Sequence, residues 1–198
     1  MALYMIRHGE TEWNERHVLQ GTADIPLNYN GKRQAEALAE EIRAQGLKFD
    51  RIYVSPLERA RETARITTGA PEEDMIIEPR LIEIEFGPLE GEPYELKDPE
   101  AAANLPENLF NFGFYPQFYV PPEGAESLQD VIRRTGAFLQ ELLPTIRPDE
   151  NVLLVSHGCA LHGVLYNLQG KTDLQDFWKP LFGNCKLMEW KDGQLLQL

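Results

Sequence analysis

The chain has 198 residues, of which 42% are hydrophobic and 26% charged, and a formal net charge of −13. This balance fits one folded domain spanning 1–198 and excludes a disordered or fibrous chain, while the acidity disfavours nucleic acid and anionic membranes as partners. No apolar run approaches the roughly 20 residues that span a bilayer, and Ala2 to Ile6 is too short for the apolar core of a signal peptide, so a cytoplasmic location is expected.

In chain order, Leu3 to Ile6 reads as a short buried strand. Lys32 to Gln45, rich in Ala, Glu and Arg with Leu38 and Ile42 at helical spacing, reads as a helix closed by Gly46. Arg51 to Val54 is a second strand, and Pro56 is placed for the first turn of a helix that continues from Leu57 to Thr67 and stops at Gly69. Met75 to Ile77 reads as a third strand. From Pro88 to Gly124 the chain is rich in Pro, Glu, Asn and aromatics without a clean period, which predicts an excursion over the core at about 88–124. Ser127, with Asp130 three residues on, opens a helix to about Leu143. Asn151 to Val155 is a continuous apolar strand, Leu161 to Leu168 and Asp173 to Trp178 read as short helices, and Lys186 to Trp190 with Gln194 to Gln197 form a hairpin about Asp192-Gly193. Strands alternating with helices predict a three-layer α/β/α sandwich with a mostly parallel sheet. The two cysteines, Cys159 and Cys185, are read as reduced, half-buried hydrophobes.

The chemistry concentrates at strand ends. The first strand runs into Arg7-His8-Gly9-Glu10 and the fourth into Ser156-His157-Gly158. In open α/β sheets ligands bind at the carboxyl ends of strands, so the two His-Gly pairs are candidates to share one site. Ser55-Pro56 ends the second strand, Arg59 follows on the next turn, and Glu83 lies beyond the third. A guanidinium fork matches phosphate oxygens, an imidazole nitrogen can attack phosphorus, and a carboxyl group can protonate a leaving oxygen. Arg7, Arg59, His8, His157 and Glu83 are thus a sufficient kit for phosphoryl transfer. His8, His157 and Glu83 are also the ligand types of a two-histidine, one-carboxylate metal site. Two guanidinium groups beside a divalent cation argue against that reading, so no metal and no cofactor is expected.

The motifs resemble those of the histidine phosphatase superfamily, which includes cofactor-dependent phosphoglycerate mutase and many small phosphatases. The resemblance rests on Arg7-His8-Gly9-Glu10-Thr11-Glu12-Trp13-Asn14, on Asp24-Ile25-Pro26-Leu27 with Gly31 and Gln34-Ala35, and on Ser55-Pro56-Leu57-Glu58-Arg59-Ala60-Arg61-Glu62-Thr63-Ala64. It continues through Leu81-Ile82-Glu83-Ile84-Glu85-Phe86-Gly87 with Glu90-Gly91, Val155-Ser156-His157-Gly158 and Asn184-Cys185. The resemblance implies a phosphoglycerate mutase-like fold, with His8 as a nucleophile that becomes a phosphohistidine. Arg7, Arg59 and His157 would hold phosphate, with Gly158 beside it, and Glu83 would act as proton donor and acceptor. Asn14 would add a phosphate contact, and Gln20, Gly21 and Thr22 would approach the substrate. Where many members place an arginine four residues after the glycine of the fourth motif, this chain has His162, expected as a helix-surface or core histidine.

A mutase must grip a second anionic group. Between Arg80 and Arg133 the only basic residue is Lys97, and Glu85, Glu90 and Glu92 follow the catalytic carboxylate. The expectation is a phosphomonoester hydrolase acting on a small-molecule phosphate ester, with the mutase as alternative and a catalytically inactive binding module of the same fold as the third reading. Phe110, Phe112, Phe114, Tyr115, Phe118 and Tyr119 are either packing or an aromatic lid over the leaving group. No motif indicates an oligomeric state.

Overall fold

A computed structural model describes residues 2–95 and 99–198. The chain begins with β1 (Ala2–Arg7), a four-residue helix α1 (Glu12–Glu15) and the long α2 (Tyr29–Ala44). Then come β2 (Arg51–Val54), α3 (Glu58–Thr68) and the two-residue β3 (Ile76–Ile77). The excursion contains α4 (Pro99–Ala103) and α5 (Glu107–Phe114). The chain closes with α6 (Leu128–Leu142), β4 (Asn151–Ser156), α7 (Gly158–Leu168), β5 (Leu187–Lys191) and β6 (Gln194–Gln197).

The sheet order is β3-β2-β4-β1-β5-β6. The first four strands are parallel and the last two antiparallel, so the expected mostly parallel sheet holds. Side chains alternate across β1 as a strand of period two requires. Tyr4 and Ile6 meet Ala35, Leu38, Ile42, Ala60 and Ala64 of α2 and α3 on one face. Leu3 and Met5 meet Phe138, Leu139, Leu161 and Leu165 of α6 and α7 on the other. These are the three layers. Leu154 is fully buried between them, and truncating it to Ala would cost about 2–5 kcal/mol.

Capping explains several boundaries. Asn28 accepts from Gly31 N–H and starts α2 earlier than the Ala-Glu-Arg pattern indicated. Ser127 and Asp130 form a reciprocal capping box at α6, as read from the sequence. Three boundaries differ from expectation. Pro56 lies ahead of α3, whose N-cap is Leu57, and Asp24 Oδ1 accepts from Glu58 N–H at 2.9 Å to do the capping from a distant loop. α7 begins at Gly158, three residues before the apolar run, where Glu83 accepts from the Cys159 and Ala160 N–H groups of its first turn. Asp173 to Trp178 makes turns and no helix; a local Asp173 side-chain bond to Gln175 N–H competes with the helical pattern there. The excursion's two helices were missed because each is short and α5 buries only Leu109 and Phe112.

Candidate active site

β1 and β4 lie side by side with Arg7 opposite Ser156. The next residue of each strand is a histidine, and the rings of His8 and His157 stand 5.1 Å apart between centroids. His8 N–H donates to Ser156 O at 2.9 Å, which fixes the strand end. Its Nδ1 lies 2.7 Å from Gly9 O. A carbonyl only accepts, so Nδ1 carries the hydrogen and Nε2 keeps its lone pair. The Gly9 turn is itself held: Gly9 N–H donates to Thr63 Oγ1 at 3.0 Å, and that hydroxyl donates to Arg59 O at 2.7 Å. Asn184 Nδ2 donates to His8 O at 2.7 Å. A Cβ on Gly9 would stand 2.5 Å from Gly31 O, so only glycine lets the start of α2 close against this turn. Burial, then the charges of Arg59 and Arg7, hold His8 well below its ordinary value, so the ring is neutral at neutral pH.

Arg59 is fully buried. Its Nη1 and Nη2 donate to Ala23 O at 2.7 Å and Gly21 O at 2.6 Å, and its Nε donates to His157 Nδ1 at 3.2 Å. Of the five N–H groups of a guanidinium, two remain for an anion. Burial pulls its pKa down to about 10, still cationic at neutral pH. Because Arg59 can only donate, His157 Nδ1 accepts, and His157 Nε2 carries the hydrogen that it gives to Ser55 Oγ at 2.6 Å. Burial and the charge of Arg59 keep His157 neutral. Arg7 donates from Nη1 to Phe182 O at 3.0 Å, while its buried Nε has no partner among the described residues.

Glu83 is buried and lies against the start of α7. Oε1 accepts from Ile84 N–H and Ala160 N–H, both at 3.0 Å, and Oε2 from Cys159 N–H at 3.1 Å. Two of these amides belong to the unsatisfied first turn of a helix, which favours the anion. Burial outweighs them and raises the carboxyl pKa, which suits a proton donor.

A cavity of about 590 Å³ opens in front of these groups. Arg7, His8, Asn14, Gln20, Glu83 and Gly158 line it. Arg59 and His157 stand behind His8, joined to each other by a hydrogen bond, and are not on its wall. Gly21 and Thr22 are off the wall too; Gly21 acts through its carbonyl on Arg59. Among the described residues no three His, Cys, Asp or Glu side chains are grouped to hold a metal ion.

One expectation about the cavity is corrected, and the open choice for the excursion aromatics is decided. Glu85, Glu90 and Glu92 do not line it. Glu90 is turned aside to accept from Gly21 N–H at 2.7 Å and Ala23 N–H at 3.1 Å, and the acidic part of the wall is Glu10 and Glu15 instead. Of the six excursion aromatics only Phe112 reaches the cavity. Tyr119 is buried in the core, and Phe114 at the end of α5 and Tyr115 and Phe118 beyond it are exposed. Lys97 lies outside the described residues. His162 is buried on the cavity wall, with Nδ1 2.7 Å from Gly158 O and Nε2 3.0 Å from Pro180 O. Two carbonyls would be fully served only by an imidazolium, yet burial pulls its pKa down to about 4, and the desolvation dominates.

Ser55, Thr63 and Asn184 lie within the sequence motifs, but nothing in the sequence assigns them a task. Thr63 had a usable signal, since it lies one helical turn after Arg59. Tyr94 and Trp178, also on the wall, had none.

The histidine phosphatase superfamily (branch 1) model matches residues 3–194. A 2,3-bisphosphoglycerate-dependent phosphoglycerate mutase from Brucella melitensis is 33% identical over 178 residues, covering 88% of this chain and 84% of that protein. A phosphoserine phosphatase mutant from Entamoeba histolytica in complex with phosphoserine has a TM-score of 0.78 at 26% identity, covering 99% of this chain and 94% of that one. A mycobacterial glucosyl-3-phosphoglycerate phosphatase in complex with VO3 has a TM-score of 0.78 at 25% identity, covering 100% and 96%.

Proposed function

The chain belongs to the histidine phosphatase superfamily, and from its site we propose that it is a metal-independent phosphomonoester hydrolase working through a phosphohistidine on His8. One observation carries the proposal: a neutral His8 with its Nδ1–H tied to Gly9 O and its Nε2 free, across one cavity from a carboxyl group whose pKa is raised. His8 Nε2 attacks phosphorus as the P–O bond to the leaving group breaks, and Glu83 gives that oxygen its proton. Glu83, now a carboxylate, takes a proton from the water that displaces His8, and inorganic phosphate leaves. Arg7 and the start of α7 at Gly158 stabilise the charge on the transferring group, and the buried positive charge of Arg59 adds to that field from behind the wall. His157 and Ser55 hold Arg59 in place, and Asn14 adds a contact. Two guanidinium groups supply the charge stabilisation that a divalent ion would otherwise provide. Two buried free cysteines suit a reducing compartment, so the proposal places the enzyme in the cytoplasm.

The mutase reading is favoured by the 33% identity to phosphoglycerate mutases. The cavity opposes it, because Glu10 and Glu15 on its wall would repel the second anionic group of a phosphoglycerate. The test is to denature the enzyme rapidly during turnover of a radiolabelled phosphate ester in the presence of a chelator. Label is expected on His8 and hydrolysis should survive chelation. Near-normal turnover by His8→Ala would overturn the mechanism, and mutase turnover exceeding hydrolysis would overturn the reaction type.

A further inference from the structure

In a serine–histidine–aspartate triad, a carboxylate on the far ring nitrogen fixes the tautomer and orientation of the histidine. Among the described residues, that place beside His8 is taken by a main-chain carbonyl: its Nδ1–H is spent on Gly9 O at 2.7 Å. A carbonyl that belongs to a glycine is a loose support, because glycine leaves its peptide planes free to turn. Whatever holds Gly9 O therefore decides which nitrogen of His8 is free to attack.

A trans peptide unit is planar, with its C=O and N–H on opposite sides, so fixing one end fixes the other. Three consecutive units at the end of β1 are pinned in this way. In the first, Arg7 O accepts from Cys185 N–H and His8 N–H donates to Ser156 O, both at 2.9 Å. In the second, His8 O accepts from Asn184 Nδ2 at 2.7 Å and Gly9 N–H donates to Thr63 Oγ1 at 3.0 Å. In the third, Gly9 O takes the His8 ring and Glu10 N–H donates to Gln34 Oε1 at 2.9 Å. The direction of that last bond is forced, since a main-chain N–H only donates. Among the described residues, Gln34 is the only side chain besides His8 itself that is bonded to the unit carrying Gly9 O. Gln34 stands on α2 one turn beyond Gly31, on the same face of the helix. That helix start is seated on the same turn: a Cβ on Gly31 would stand 2.0 Å from Glu10 O, and Asn28 N–H donates to Glu10 O at 3.0 Å. The acceptor of Gln34 is thus held in place by the helix that carries it.

Resting on the phosphohistidine reading, we propose that Gln34 is a positioning residue for the nucleophile, acting through the Gly9–Glu10 peptide unit to keep the hydrogen of His8 on Nδ1 and the lone pair on Nε2. Gln34→Met has nearly the same shape and no acceptor oxygen. Gly9 O is then free to turn away, and the Nε2–H tautomer, which cannot attack phosphorus, becomes populated. Gln34→Glu keeps an acceptor in the same place. Nitrogen NMR of enzyme carrying 15N-labelled histidine should show His8 as the Nδ1–H tautomer in the unsubstituted enzyme and in Gln34→Glu, and as a mixture in Gln34→Met. In single turnover of p-nitrophenyl phosphate, labelling of His8 should slow by about tenfold in Gln34→Met, the worth of one net hydrogen bond, and by less than about threefold in Gln34→Glu. The affinity of Gln34→Met for inorganic phosphate, measured by calorimetry, should be little changed, because Arg7 is not held by this unit. Gln34→Asn, which draws the acceptor back by one methylene, makes the same comparison if Gln34→Met does not fold. A His8 that stays wholly in the Nδ1–H form in both Gln34→Met and Gln34→Asn would overturn the inference. So would an equal loss of rate in Gln34→Glu and Gln34→Met, or a loss confined to phosphate affinity. In each of those cases, labelling of His8 in the unsubstituted enzyme leaves the phosphatase reading standing. Absence of label there would overturn that reading, while the tautomer comparison would still decide the role of Gln34.

Discussion

Replacing Glu83 with Gln probes the proton donor and the helix start together. The carboxylate accepts from three backbone N–H groups, two through Oε1 and one through Oε2. Gln keeps one oxygen, which takes the Oε1 position and its two bonds. The amide nitrogen then faces Cys159 N–H, donor against donor. A buried donor left unpaired costs about 1–3 kcal/mol, which for a chain of this size lowers Tm by roughly 2–12 °C. The catalytic loss is separate. General acid catalysis contributes about 10²–10⁴-fold, equivalent to about 3–5 kcal/mol of barrier. An alkyl phosphate such as glycerol 1-phosphate should lose that factor in kcat, because its alkoxide cannot leave without a proton. p-Nitrophenyl phosphate should lose less than about tenfold, since its phenolate leaves unprotonated. The assay is kcat for both esters below the melting range of the variant, with Tm recorded alongside. Equal losses for the two esters would remove Glu83 from the proton-donor role and leave it a helix anchor.

Thr63→Val keeps the shape of the side chain but strips Gly9 N–H and Arg59 O of their hydroxyl partner. It should cost about 1–3 kcal/mol in a denaturant midpoint and slow good and poor leaving groups alike, with Thr63→Ser restoring both; a leaving-group-dependent defect would refute this assignment. His162 has a folded pKa of about 4 against an ordinary value of 6.5, so below pH 6.5 the unfolded chain takes a proton that the folded chain refuses. Stability is thus complete above pH 6.5 and falls by roughly 3 kcal/mol by pH 4, with His8 and His157 shifted the same way. Glu83, whose pKa is raised, works in the opposite sense and loses stability as pH rises through its folded value. A denaturant midpoint that does not drop between pH 7 and pH 5, or that drops as much in His162→Gln, would contradict the histidine account.

The sequence alone determined which residue types meet at the site. His8 and His157 each follow a short apolar run, and residues at the ends of parallel strands are carried to one edge by the sheet's own geometry. Helices with a clear apolar stripe, such as Lys32 to Gln45 and Leu128 to Leu142, were legible for the same reason: local periodicity encodes the buried face. Hydrogen-bond direction was not legible. That Nδ1 of His8 is spent on Gly9 O, that Arg59 commits three N–H groups to Gly21, Ala23 and His157, and that Glu90 turns toward the Gly21 amide are decided by atoms up to 98 residues apart in the chain. Nor could composition say which acids face the substrate. Glu85, Glu90 and Glu92 are nearer Glu83 in sequence, but Glu10 and Glu15 reach the cavity, and Glu90 is bonded instead to the Gly21 and Ala23 amides. Only tertiary packing sets such distances, since side chains with identical local signals differ solely in what the folded chain brings against them.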